Sequence, residues 1–240
     1  MDYAYISKPG TRDNNEDSAL AIERNTDFLF IVADGLGGHG KGEVASALVI
    51  ESFKECFDEG SIAPENFIQE AIMTAQNRII DEQREKRASH EMKSTCASLL
   101  ISHGKCHIGH VGDTRVYVMH RNKIILQTLD HSVPQMLVMY GDIKEKHIRN
   151  HPDRNRLLRV IGVEWESPQH ELAEMLPLIE CQAFLLCTDG FWELCDEKKM
   201  CSYLKKSRDA DEWLNLMVEE IEKNGKDTDM DNYTAIAVIC

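Results

Sequence analysis

The stretch FLFIVADGLGGHGKGEVAS, residues 28 to 46, decides how this chain is read. Its first six residues are an apolar run of strand length. Beyond its glycines, Ala45, Leu48, Val49, Ser52 and Cys56 keep the three-and-four spacing of one helix face, predicting a helix over 43–57. Three chemistries compete for the glycine loop. Gly35-Leu36-Gly37-Gly38-His39-Gly40 satisfies G-x-G-x-x-G, the dinucleotide fingerprint. That fingerprint needs a second parallel strand ending in an acidic residue about 20 positions on. Here a second helix follows instead, carried by Ile68, Ala71, Ile72, Ala75 and Ile79. Gly35, Gly40 and Lys41 also approach a phosphate-binding P-loop, but Gly42 stands where a Ser or Thr hydroxyl must hold magnesium, and Asp34 would repel a triphosphate. The third reading starts from Asp34, a carboxylate at the exit of an apolar strand, which is expensive to bury without cations or donors.

Downstream, TCASLLIS, KCHIGHVG, TRVYVMH and KIILQT are four short strand candidates joined by His103-Gly104, Asp113 and Arg121-Asn122. The polar stretch from Asp130 to Leu172, punctuated by prolines and glycines, reads as an excursion from the core with short helical pieces. Strands return at 183–188 and 233–240, with helices near 197–205 and 209–223. Paired helices alternating with runs of antiparallel strands predict a layered α+β fold. No repeat, charge block or linker divides the 240 residues, so a single domain over 1–240 is expected.

The 27 Lys plus Arg against 41 Asp plus Glu give a formal charge of −14, the wrong sign for a protein that tracks nucleic-acid phosphates. Hydrophobic residues at 42% and charged residues at 28% exclude a disordered chain. No apolar run approaches the roughly 18 residues that span a bilayer, and the N-terminus has no signal-peptide pattern, so a cytoplasmic protein without a membrane partner is expected. The 8 cysteines form no C-x-x-C pair and read as reduced, mostly buried small hydrophobes.

Asp34 has companions. Asp189 closes FLLCTDG, Asp113 closes HIGHVGD, and Asp231 precedes YTAIAVIC. If that last strand runs antiparallel to those bearing Asp34 and Asp189, three carboxylates share one sheet edge, and Asp113 with the Glu16-Asp17 pair can join them. Each Asp alone reads equally as a turn cap; together they form an all-oxygen set suited to Mg²⁺ or Mn²⁺ rather than zinc. His147 and His151 are one helical turn apart, a weaker metal pair in polar surroundings. His107 and His110, three apart in a strand, face opposite sides.

RDNNED at 12–17, ADGLGGHGKGEVAS at 33–46, GHVGDTRVYVM at 109–119, LDHSVPQML at 129–137, LLCTDGFWE at 185–193 and DNYTAIAV at 231–238 occur in order. Together they resemble the metal-dependent type 2C serine/threonine protein phosphatases in their compact bacterial form. The resemblance implies a four-layer α/β/β/α sandwich, two antiparallel sheets flanked by helices, with the stretch from Asp130 to Leu172 as a flap. It implies hydrolysis of phosphoserine and phosphothreonine in proteins by a hydroxide bridging two Mn²⁺ or Mg²⁺ ions. Asp34 would bridge both, Gly35 would offer its carbonyl, Asp189 and Asp231 would complete one ion, and Asp17 with neighbouring Glu16 would serve the other. Asp113 with Asp189 would hold a third ion, and Arg12 would grip the substrate phosphate. Leu36 stands where animal members carry a histidine, so His39 is either the acid for the leaving group or a loop stabiliser, with metal-bound water as the other acid. The implied partners are phosphorylated proteins and a cognate Ser/Thr kinase, and a monomer is expected. The rival function is a pseudophosphatase or phosphoprotein-binding regulator with little turnover; a nucleotide-binding regulator is the third.

Overall fold

A computed structural model describes residues 1–37, 41–87 and 91–240. The chain runs β1 (Asp2–Lys8), β2 (Asp17–Arg24), β3 (Asp27–Leu36), α1 (Lys41–Glu59), α2 (Pro64–Glu85), β4 (Lys93–Ser94), β5 (Cys96–Ser102), β6 (Lys105–Val111), β7 (Arg115–His120) and β8 (Lys123–Gln127). Then follow α3 (Val133–Tyr140), β9 (Glu171–Leu172), β10 (Leu176–Pro177), β11 (Ala183–Cys187), α4 (Asp189–Trp192), α5 (Glu197–Leu204), α6 (Ala210–Asn224) and β12 (Tyr233–Ile239). His103 and Gly104 (φ 49° and 72°), and Arg121 and Asn122 (φ 51° and 57°), occupy the left-handed region that a two-residue hairpin of matching twist requires.

β3 explains the layering. Alternate side chains of a strand face opposite ways, so Leu29, Ile31 and Ala33 pack with Val49 and Phe53 of α1 and Ile72 and Ile79 of α2, while Phe30 and Val32 pack against the other sheet. The first sheet has the order β10-β6-β5-β3-β2, with β4 on β3 and β9 on β6. The second has the order β1-β12-β11-β7-β8. All pairings are antiparallel. On the second sheet Tyr117, Leu185 and Ala235 face Trp213 and Met217 of α6, whereas Val116, Leu186 and Ile236 face the first sheet. Three apolar layers therefore separate helices, sheet, sheet and helices, the expected four-layer sandwich.

Two features depart from the sequence reading. β1 and β2 are absent from it, because DYAYISK and DSALAIER are half-exposed and too polar to stand out. The stretch read as leaving the core at Asp130 begins inside it: Asp130, His131 and Ser132 are buried, and Ile161 and Gly162 return to the core. Two buried glutamines of α2 hold that return. Gln76 accepts from Gly162 N at 2.7 Å and donates to Val163 O at 2.6 Å, and Gln83 donates to Met92 O and Gly162 O at 2.6 and 2.7 Å.

Candidate active site

Four strand ends meet at one end of the sandwich. β2 begins at Asp17, directly opposite Asp34 near the end of β3. β11 ends just before Thr188 and Asp189, and antiparallel β12 begins just after Asp231. The expectation that Asp34, Asp189 and Asp231 share one sheet edge is corrected here: β3 belongs to the other sheet. The carboxylates meet because the two sheets are stacked, with Thr188 Oγ1 donating to Asp17 Oδ2 at 3.0 Å across the stack.

Arg12, Glu16, Asp34 and Gly35 line one cavity of about 390 Å³ together with Asp113, Asp189 and Asp231. Asp17 is buried beside it. His39 lies outside the described residues. Every other candidate residue named from the motifs is thus gathered at one place.

Backbone donors set the carboxylates. Gly190 N donates to Asp189 Oδ1 at 2.7 Å and Asn232 N to Asp231 Oδ1 at 2.9 Å. Asp34 N donates to Thr95 Oγ1 and its carbonyl accepts from Thr95 N, at 3.0 and 2.8 Å. A Cβ at position 42 would fall 2.7 Å from Gly35 O, so glycine there leaves that carbonyl room. Arg12 Nη2 lies 3.2 Å from Asp231 Oδ2 and its Nη1 3.7 Å from Asp229. Among the described residues it is the single Lys or Arg lining the cavity.

The electrostatics are those of an uncompensated acid nest. Burial pushes Asp17 and Asp113 up to about 7. Burial also lifts Asp34 and Asp189 well above the carboxylate range, reinforced chiefly by Asp17 at Asp34 and by Asp113 at Asp189. Glu16 is raised by burial and by Asp231 and Glu43. Asp17 Oδ1 and Asp113 Oδ1 are buried without a hydrogen-bond partner. Bare oxygens, no ion pair to Asp17, Asp34, Asp113 or Asp189 among the described residues, and an all-oxygen donor set fit hard divalent cations.

A sequence model described as Protein phosphatase 2C matches residues 10–233. The chain belongs to that family. It is 28% identical to the serine/threonine phosphatase stp of Listeria welshimeri over 233 residues, 95% of this chain and 90% of the relative. The crystal structure of Stp1 from Staphylococcus aureus superposes with a TM-score of 0.89 at 27% identity, over 100% of this chain and 95% of that one. The catalytic domain of PstP, solved in complex with two manganese ions, gives 0.82 at 26% identity, over 98% and 96%. In this phosphatase 2C chain the cysteines are free, six of them buried, and no described helix is long and apolar enough to cross a membrane.

Several residues of the site escaped the sequence reading. Asn232 ties the N-terminal segment to β12, accepting from Glu16 N at 2.8 Å and donating to Pro9 O and Asn14 O at 2.9 Å each. Asn155 and Leu157 reach the cavity from the excursion. Only the adjacency of Asn232 to Asp231 hinted at the first, and nothing local marks the others. Of the histidines, His151 Nδ1 accepts from Asp153 N at 3.1 Å. His110 stacks at 4.5 Å on His131, whose Nδ1 accepts from Gly112 N at 3.1 Å beside Asp113.

Proposed function

We propose that this chain removes phosphate from phosphoserine and phosphothreonine of proteins by direct hydrolysis, with two Mn²⁺ or Mg²⁺ ions seated among the gathered carboxylates. The observation that carries this reading is the meeting, across two stacked sheets, of buried carboxylates with bare oxygens and no ion-pair partner among the described residues. Asp34, with Asp17 opposite it on one side and Asp189 and Asp231 across the stack on the other, would hold the ions together with them, and Gly35 would offer its carbonyl. Asp113, the neighbouring charge that weighs most on Asp189, would hold a third ion with it. Bound there, the ions supply Lewis acidity toward water and phosphate oxygens.

The chain's own residues do the remaining work. Arg12, fixed by Asp231 and Asp229, presents a planar guanidinium that matches two phosphate oxygens in a cleft whose carboxylates would otherwise repel the dianion. Thr188, Gly190 N and Asn232 N hold their carboxylates in place, so little reorganisation accompanies binding. No cysteine is needed as nucleophile: burial pushes the thiols of Cys96, Cys187 and Cys195 up, away from the reactive thiolate.

The reading extends to one catalytic domain acting as a monomer. Its substrates are products of protein Ser/Thr phosphorylation, so a Ser/Thr kinase supplies them. Eight free thiols, none of them in a disulfide, accord with the reducing cytoplasm. The test is manganese-dependent release of phosphate from a phosphothreonine peptide, abolished by chelator and restored by excess Mn²⁺. Tight peptide binding without phosphate release would instead support a phosphoprotein-binding regulator.

A further inference from the structure

A second cavity of about 530 Å³ adjoins the carboxylate-lined one, and Leu157 lines both. Val160, Val163 and Trp165 give it an apolar wall, with Trp165 Nε1 donating to Val160 O at 3.0 Å. Two cations line it, Lys93 and Arg159. Lys93 stands on β4 opposite Leu36 of β3, two residues beyond Asp34, and Leu36 lines the first cavity.

These two cations differ from their neighbours. In a chain of formal charge −14, Arg12 pairs with Asp231, Lys41 with Glu91, Arg154 with Glu193 and Arg156 with Asp153. Among the described residues Lys93 has no carboxylate partner, and Arg159 Nη1 has none either, meeting His131 Nε2 at 3.3 Å, which itself lies 3.4 Å from Glu171. Of the two acids on the groove, Glu164 is drawn outward to Arg84 at 3.5 Å, leaving Glu166. Unpaired cations beside a phosphate-binding cleft are free to meet an incoming negative charge, whereas a basic side chain there would be repelled.

We infer that this groove receives the substrate chain on one side of the phosphoresidue, and that Lys93 and Arg159 select phosphoproteins bearing an acidic residue there. The inference rests on the phosphatase reading above. The substrate backbone crosses Leu157, its apolar side chains pack on the Val160, Val163 and Trp165 wall, and a carboxylate replaces water around the two cations.

The test uses the full chain with Mn²⁺ and phosphothreonine peptides in which one Glu, or one Lys, is moved through the positions flanking the phosphoresidue. Each peptide kcat/KM is divided by the same enzyme's value for p-nitrophenyl phosphate, which is too small to reach the groove. The expected result is a Glu-over-Lys preference of about threefold to tenfold, as two partly exposed charge pairs give. It is confined to one side of the phosphoresidue, carried in KM, and weakened by salt. In the double variant Lys93→Glu/Arg159→Glu the preference disappears or inverts; Lys93→Gln/Arg159→Gln abolishes it without adding charge. No preference in the wild type, a preference equal on both sides, or one that survives in the double variants overturns the inference. If p-nitrophenyl phosphate itself is not hydrolysed, the phosphatase reading fails instead.

Discussion

Two buried charge clusters among the described residues are opposites. At the strand ends, Asp17, Asp34, Asp113 and Asp189 are buried with no ion-pair partner among the described residues, and burial lifts all four. On β7, Arg115 is just as buried, yet its Nε and Nη2 bind both oxygens of Asp130 at 2.7 Å each, and its Nη1 donates to Tyr117 OH at 3.0 Å. The guanidinium also lies 3.5 Å from the centre of the Trp192 ring, and Tyr117 OH donates to Glu197, itself bound by Arg149 at 2.5 Å. A neutralised cluster belongs to the scaffold. One left short of charge has to be completed from outside, and that asymmetry locates the chemistry better than acidity alone.

The comparison breaks if the carboxylates prove dispensable. Asp34→Asn is expected to lower manganese-dependent phosphopeptide turnover by about a thousandfold, on the scale set by removing a central electrostatic group, while thermal unfolding of the metal-free variant shows no loss of stability. Turnover near the wild-type level would end the assignment. At the other cluster the opposite pattern is expected. Arg115→Met strands Asp130 and should remove about 3–5 kcal/mol of stability, read in urea unfolding. The double substitution Arg115→Met/Asp130→Leu should recover much of that loss.

A smaller effect sharpens the role of Thr188, which joins the sheets at Asp17. Thr188→Val should weaken Mn²⁺ binding measured by calorimetry about 10- to 100-fold, the usual range for a residue that orients a metal ligand. Thr188→Ser should retain most of the affinity. Equal binding by all three proteins would reduce Thr188 to a packing residue.

The smallest expected effect is a pH slope. Carboxylates raised to about 7 or beyond hold protons in the folded, metal-free protein that the unfolded chain has released above pH 5. The folded state therefore binds more protons, and stability falls as pH rises through 7. Buried neutral His131, pulled down to about 3, acts oppositely, but only below about 6.5, where an unfolded histidine protonates. Between pH 7 and 8 the metal-free Tm should thus fall by about 2–4 °C, on the scale of 1 kcal/mol for a chain of this size. Mn²⁺ should raise Tm more at pH 8 than at pH 7. A flat or rising metal-free profile would contradict the uncompensated nest.

Much of this was legible in the chain. The continuous apolar run FLFIVA and the helix spacings of α1 and α2 gave a buried strand followed by two packed helices, since hydrophobic patterning is a local property of burial. Asp34, Asp113, Asp189 and Asp231 each stand beside an apolar strand and were readable for that reason. β1 and β2 were not, because strands exposed on one side with mixed residues carry little contrast. Asp130 looked like the start of a solvated loop, and its burial depends on Arg115, 15 residues earlier, whose partner no local pattern names.

The sequence by itself determined the core strands, the long helices and which carboxylates stand beside them, because side-chain period and turn chemistry are written into neighbouring residues. Only the tertiary structure decided that Asp34 faces Asp189 and Asp231 from a different sheet, that Thr188 reaches Asp17, and that Lys93 has no carboxylate partner among the described residues. Those facts follow from how two sheets stack, a product of long-range packing between residues that share no local signal.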